Sequence, residues 1–217
     1  MNRTLLVTRP QHDMVTTYFY HWSQPLIEEA KKKKLVVCDL KGKKAVMGEF
    51  WGRVKKLAPM LIFLNGHGSE SIIGGHNNET LVDASTVNGN FKGSVIYARA
   101  CSAAQELGEK IATDSASTFI GYDEPFVFLQ QKEFNTKPLR DNIAALFMKP
   151  SNSAVLALIK GHCAKDANTR SRNEFMSTIY KILTSEATSE ETESIPYLYW
   201  DYKHQVCLGK PENRLAR

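Results

Sequence analysis

The sequence predicts an α/β protein in which a mostly parallel sheet of about six strands carries helices on both faces. Two observations predict it. Short apolar runs recur at residues 5–8, 35–40, 60–64, 95–98 and 118–122, separated by stretches in which apolar residues fall at helical spacing. Strands alternating with helices fold as a parallel sheet covered on both sides. The run at residues 60–64 is also continuous rather than alternating, as expected of a strand buried on both faces. At 217 residues the chain suits one domain, since single cores grow to roughly 250–300 residues. We expect one domain over residues 1–217, with a core over 1–122 and a helical region with a C-terminal strand over 123–217.

Strand one, residues 5–8, is closed by Pro10. Met14, Val15, Tyr18, Phe19 and Trp22 then mark a helix that Asp13 is placed to cap, and Pro25 restarts it toward Lys33. Strand two is followed by a helix bearing Val46, Phe50, Val54 and Leu57, which ends before Pro59. After strand three, residues 65–93 are rich in Gly, Asn and Ser. Within them Ile72-Ile73 and Leu81-Val82 flank Gly74-Gly75-His76-Asn77-Asn78, the pattern of a small hairpin, with a short helix starting near Asp83. A helix over residues 103–113 separates strands four and five. Further helices are expected over 140–147, 153–160 and 167–183. Residues 185–194 hold four glutamates among Ser and Thr and predict an exposed flexible loop. Tyr197-Leu198-Tyr199-Trp200 and Gln205-Val206-Cys207-Leu208 read as a strand pair, or as a sixth strand plus an edge.

Composition narrows the function classes. With 42% hydrophobic and 24% charged residues, disorder is excluded for the bulk of the chain. No run approaches about 20 apolar residues, and the apolar start is too short for a secretory signal. A cytoplasmic protein without a membrane partner is expected. The net charge of +5 comes largely from lysines within residues 31–34 and 41–44. No aromatic residues interleave with them, so direct nucleic-acid binding is not expected. Cys38, Cys101, Cys163 and Cys207 lack paired spacing and should be reduced thiols. His162-Cys163 with His204-x-x-Cys207 is the nearest approach to a zinc pattern, and its adjacent ligands give poor geometry. With no glycine-rich phosphate cradle either, no metal or cofactor is expected.

In a sheet of this kind the working site lies beyond the carboxyl ends of the strands. His67 leaves the end of strand three, and Cys101 leaves the end of strand four. A thiol needs a base or a positive environment to act as nucleophile. His67 supplies an imidazole, and a helix starting just after Cys101 would point its amides at the sulfur. The backbone N–H groups of Gly68 and Cys101 are placed to bind an oxyanion. His76, at the hairpin tip, is a rival imidazole that no strand delivers, and we read it as an exposed turn residue. Cys38 reads as a core thiol.

These residues carry a resemblance to the caspase-like (clan CD) cysteine peptidases. An apolar strand ends in His-Gly, Leu61-Ile62-Phe63-Leu64-Asn65-Gly66-His67-Gly68, and is followed by the glycine-bearing hairpin. A second apolar strand ends in Val95-Ile96-Tyr97-Ala98-Arg99-Ala100-Cys101. Histidine precedes cysteine, the order of that clan, whereas papain-like peptidases and class I glutamine amidotransferases reverse it. Arg99-Ala100-Cys101-Ser102-Ala103 departs from the caspase pentapeptide, and Cys101 follows His67 by only 34 residues. The chain is most similar to bacterial CHAT-type and metacaspase-like domains. The resemblance implies a three-layer sandwich fold and an endopeptidase with a Cys101–His67 dyad. It also implies a protein substrate and regulated proteolysis, in bacteria often within defence systems, switched by a partner protein or a cut. Residues 126–138 and 185–194 are the candidate switch loops.

Strand alternation puts Arg99 on the same side as Cys101. A buried guanidinium needs a partner. Asp123 or Glu124, leaving strand five at the same edge, would satisfy it. The other partner is an acidic substrate residue, with Arg9 helping from strand one. A different function class also fits the sequence: a nucleotide- or ligand-sensing module in which Cys101 is structural and Arg9 with the basic loop ends binds an anion.

Overall fold

The computed structural model describes residues 3–114, 116–184 and 186–215. The chain runs from β1 (Thr4–Arg9) through α1 (Met14–Trp22) and α2 (Gln24–Lys32) to β2 (Val36–Lys41), then through α3 (Met47–Leu57) to β3 (Leu61–Asn65). A hairpin of β4 (Ile72–Gly74) and β5 (Thr80–Asp83) precedes β6 (Val95–Arg99), and α4 (Glu106–Asp114) leads to β7 (Thr118–Tyr122). The remainder is α5 (Asn142–Ile159), α6 (Ala164–Ile182), α7 (Ser189–Glu193), α8 (Ile195–His204) and β8 (Gln205–Gly209).

Six strands form one sheet in the order β2-β1-β3-β6-β7-β8. All neighbours are parallel except β8, which runs antiparallel to β7. One face packs Leu6, Ile62, Leu64 and Ile96 against α3, α4 and the hairpin, through Phe50, Val54, Leu107 and Leu81. The other packs Leu5, Val7, Phe63 and Tyr97 against α2, α5 and α6, through Leu26, Val155, Leu158 and Ala164. This is the expected mostly parallel α/β sandwich. Strands β1, β3, β6 and β7 are buried at every residue, which is why their apolar runs lack alternation.

Four local expectations are corrected. The helices expected over 140–147 and 153–160 are one helix, α5, with Pro150 inside it. Phe147, Met148, Ser151, Ala154 and Val155 are all buried, and this packing outweighs the backbone bond that Pro150 removes. Tyr197-Leu198-Tyr199-Trp200 is helical, within α8. Leu198 and Asp201, three apart, face inward while Tyr197, Tyr199 and Trp200 are exposed, a helical period rather than a strand's. The expected loop at 185–194 holds α7, closed by a capping box between Thr188 and Glu191; Ser185 lies outside the described residues. Finally, α4 begins at Glu106 rather than beside Cys101. Helix α5 is the one described element whose length and hydropathy would suit a bilayer, but 67% of it is buried inside the molecule, the signature of a core helix.

Candidate active site

The chain runs from β1 to β2 on one side and then crosses to β3 on the other, so the carboxyl ends of β1 and β3 border a crevice. Asn65 ties these ends together. Its backbone N–H donates to Thr8 Oγ1 at 3.1 Å and its side-chain amide to the Thr8 carbonyl at 2.8 Å. On the other side of β3, Asn65 pairs with Arg99 of β6. Two further residues along each chain bring His67 and Cys101 to the same edge. Gly68 seats one loop directly against the backbone of the other. A Cβ there would stand 2.6 Å from the Cys101 carbonyl oxygen and 3.0 Å from its backbone nitrogen, so only glycine fits without a shift.

His67 has a partner that the sequence reading assigned only to helix capping. Asp13 Oδ1 caps α1, accepting from the Thr16 N–H at 2.8 Å and the Thr16 hydroxyl at 2.7 Å. Its Oδ2 lies 2.6 Å from His67 Nε2. Burial raises the Asp13 carboxyl, but the Thr16 N–H and the His67 contact outweigh it and hold the group below the usual carboxylate value. The missed signal was positional: Asp13 lies four residues beyond β1, at the crevice that β1 shares with β3.

Cys101 is half-buried, and Ser102 beside it adopts the left-handed conformation at φ +54°, a local cost of order 1 kcal/mol. The turn is held from the end of β7 and the residues just after it, where the carbonyls of Tyr122 and Glu124 accept from the N–H groups of Ala104 and Ser102. The sulfur lies 3.9 Å from the Phe126 carbonyl. Burial pushes the Cys101 thiol up, and nearby Asp201 acts in the same direction. The expected depression by a helix N-terminus is not found, because residues 100–105 form turns before α4 starts.

The expected substrate-binding set does not assemble. Arg99 is fully buried. It donates to Ser151 Oγ at 2.9 Å and to Asn152 Oδ1, and its guanidinium lies over the rings of Phe19 and Phe63. Its partners are thus on α5, not Asp123 or Glu124, because strand alternation points it into the helical layer. Arg9 is also enclosed. It pairs with Asp39 of β2, donates to the Tyr20 carbonyl and Gln24, and stacks on Tyr20. Asp123 Oδ1 accepts from His204 Nδ1 at 2.8 Å. Glu124 meets the site through its backbone carbonyl, which accepts the Ser102 N–H at 3.1 Å. His76 is not a free turn residue: it is partly buried, and its ring lies 5.4 Å from that of His12.

No protein-family model matches the chain, and no curated protein matches it in sequence.

Proposed function

We propose that the protein is a cysteine endopeptidase with Cys101 as nucleophile, His67 as general base and acid, and Asp13 as the group that orients His67. The observation that carries this reading is the β3–β6 register, which delivers His67 and Cys101 to one edge, with Gly68 seated on the Cys101 backbone. With Nε2 facing Asp13, Nδ1 is the ring nitrogen left for the thiol. The thiol proton passes to Nδ1 as sulfur attacks the peptide carbonyl carbon. The N–H groups of Gly68 and Cys101 receive the oxyanion. The imidazolium then protonates the leaving amine, giving a thioester, and water activated by His67 releases the acid.

Burial disfavours the thiolate of Cys101, so His67 is assigned to take the thiol proton. The loop after β7 also passes beside the sulfur, through the Phe126 carbonyl at 3.9 Å. Phe126 is buried among Phe19, Tyr122 and Phe128, and the Val127 N–H donates to Asp201 Oδ1 at 3.0 Å. This strap favours a chain of low basal turnover, raised by a protein partner or a rearrangement of residues 126–138. Such control suits regulated cytoplasmic proteolysis of a specific protein substrate, as in a bacterial defence or signalling system. The sensor reading has less support, since the Arg9 guanidinium it assigned to an anion is spent on Asp39.

The test is cleavage of an unbiased peptide library by the purified chain. Turnover should be low but measurable, abolished in Cys101→Ala and reduced by orders of magnitude in His67→Ala. Undiminished turnover in Cys101→Ala would refute the reading.

A further inference from the structure

Further groups crowd the Asp13–His67 contact. His12 Nε2 lies 3.5 Å from the same Asp13 Oδ2 and 3.0 Å from Asn78 Oδ1. The His12 side chain is only 10% exposed. One ligating atom from each of His12, Asp13 and His67 falls within 4.8 Å of the others, the one such group among the described residues. His67 and His76 both stand edge-on to His12, at 6.2 and 5.4 Å between ring centres. The Nδ1 atoms of His12 and His76 are buried without a hydrogen-bond partner. His12 and His76 thus each keep one ring nitrogen unpaired beside the group, and cap geometry commits Asp13 Oδ1 elsewhere, leaving Oδ2 to face the imidazoles.

We propose that His12, Asp13 and His67 bind one zinc ion, and that the bound ion holds the site inactive. Two imidazoles and one carboxylate suit a borderline cation, whereas calcium and magnesium prefer all-oxygen shells. Zinc bonds of about 2.0–2.2 Å place tetrahedral ligand atoms about 3.3 Å apart, so shifts of about 1 Å close the site around an ion. Water takes the fourth position. The ligands are pre-positioned by the fold: Asp13 by its cap, His67 by the end of β3, and His12 by its place next to Asp13, with its Nε2 contact to Asn78 Oδ1 given up when the ion binds.

The effect on chemistry follows from the proton count. Without the ion, the His67 ring carries its proton on Nε2 toward Asp13 and offers the Nδ1 lone pair to Cys101. The ion takes the Nε2 lone pair, and the single proton of the neutral ring then resides on Nδ1. That ring has no lone pair for the thiol proton and cannot gain a second proton for the leaving amine. The loss of turnover rests on the peptidase reading; the binding itself does not.

The experiment is competition for zinc chloride between the full chain and a chromophoric chelator, followed by peptide turnover at matched free zinc. One ion per chain should bind, roughly tenfold or more weakly in His12→Ala and in His12→Gln, with both variants checked for wild-type melting. Cys101→Ala should bind as wild type does. Wild-type turnover should vanish at one equivalent and return with chelator, while His12→Gln, scaled to its own zinc-free rate, should need at least tenfold more zinc. Affinity unchanged in both His12 variants, or lost in Cys101→Ala, would overturn the site by placing the ion on a thiol or elsewhere. If the binding pattern holds but zinc-free wild type cleaves nothing, the metal site stands and the peptidase reading falls.

Discussion

Asp13 divides its carboxylate between two tasks: Oδ1 closes the first turn of α1, and Oδ2 meets His67 Nε2 at 2.6 Å. The orientation of the His67 ring is thereby coupled to a helix start. Asn is as good a cap as Asp, whereas Ala costs about 1 kcal/mol. Asp13→Asn should therefore melt close to wild type but lose roughly tenfold to a thousandfold in kcat, because the imidazolium loses its counter-charge and the ring its fixed tautomer. KM should change little. Asp13→Ala should lose both activity and stability. Equal kcat in Asp13→Asn and wild type would leave Asp13 a cap and nothing more.

Gly68 supplies a sharper probe of loop contact. Its substitution by Ala puts a methyl 2.6 Å from the Cys101 carbonyl oxygen and 2.9 Å from the Ala100 Cβ. These are backbone and short side-chain atoms that cannot swing aside, so the His67 and Cys101 loops must part. Misplacement by about 1 Å costs on the order of a hundredfold in rate. Gly68→Ala should show that loss in kcat/KM while keeping its near-UV circular dichroism. Wild-type kinetics would mean that the two loops do not need this contact.

Arg99 belongs to stability rather than specificity. Arg99→Ala would leave Asn152 Oδ1 without the Arg99 donor and Ser151 with Tyr97 alone, and open a cavity beside Phe19 and Phe63. That combination costs on the order of 3 kcal/mol, visible as a lower midpoint in denaturant. In Arg99→Gln, a fluorogenic panel varying only the residue before the scissile bond should keep the wild-type ranking. A preference for Asp that disappears in Arg99→Gln would bring the guanidinium back to the substrate.

The sheet was legible because its four central strands are buried on both faces, so Leu61-Ile62-Phe63-Leu64 and Val95-Ile96-Tyr97-Ala98 stand out from composition alone. His67 and Cys101 were legible as candidates for the same reason: each follows such a run directly. What was not legible came from tertiary packing. Pro150 signals a break that the buried flank of α5 overrides. The aromatic run of α8 has strand propensity, yet Leu198 and Asp201 are drawn inward at helical spacing. Asp13 looked sufficient as a cap, and only the β1–β3 pairing puts its second oxygen on His67. Arg99 was assigned the acids that leave the next strand at the same edge, whereas its partners come from α5, more than 50 residues away.

Asp201 gives the structure a pH signature that is independent of catalysis. It is fully buried on α8; Oδ1 accepts the Val127 N–H at 3.0 Å and Oδ2 has no partner. Tyr97 and Tyr122 are the nearby ionisable hydroxyls, both pushed up by burial, and Asp201 also faces the Cys101 thiol. Burial holds the Asp201 carboxyl well above the usual carboxylate value, so the folded chain keeps it protonated where the unfolded chain releases the proton. Below about pH 4 both states hold the proton and Asp201 favours neither. As pH rises, the unfolded state alone gains by ionising, and stability is lost progressively until the folded-state value is reached. Asp201→Asn keeps the shape and the acceptor for Val127 but has no proton to release. The melting temperature of Asp201→Asn relative to wild type should therefore increase from pH 4 to pH 8, measured at constant ionic strength. A gap that stays constant over that range would mean that Asp201 ionises alike in both states, and the strap over Cys101 would then be anchored by a charge.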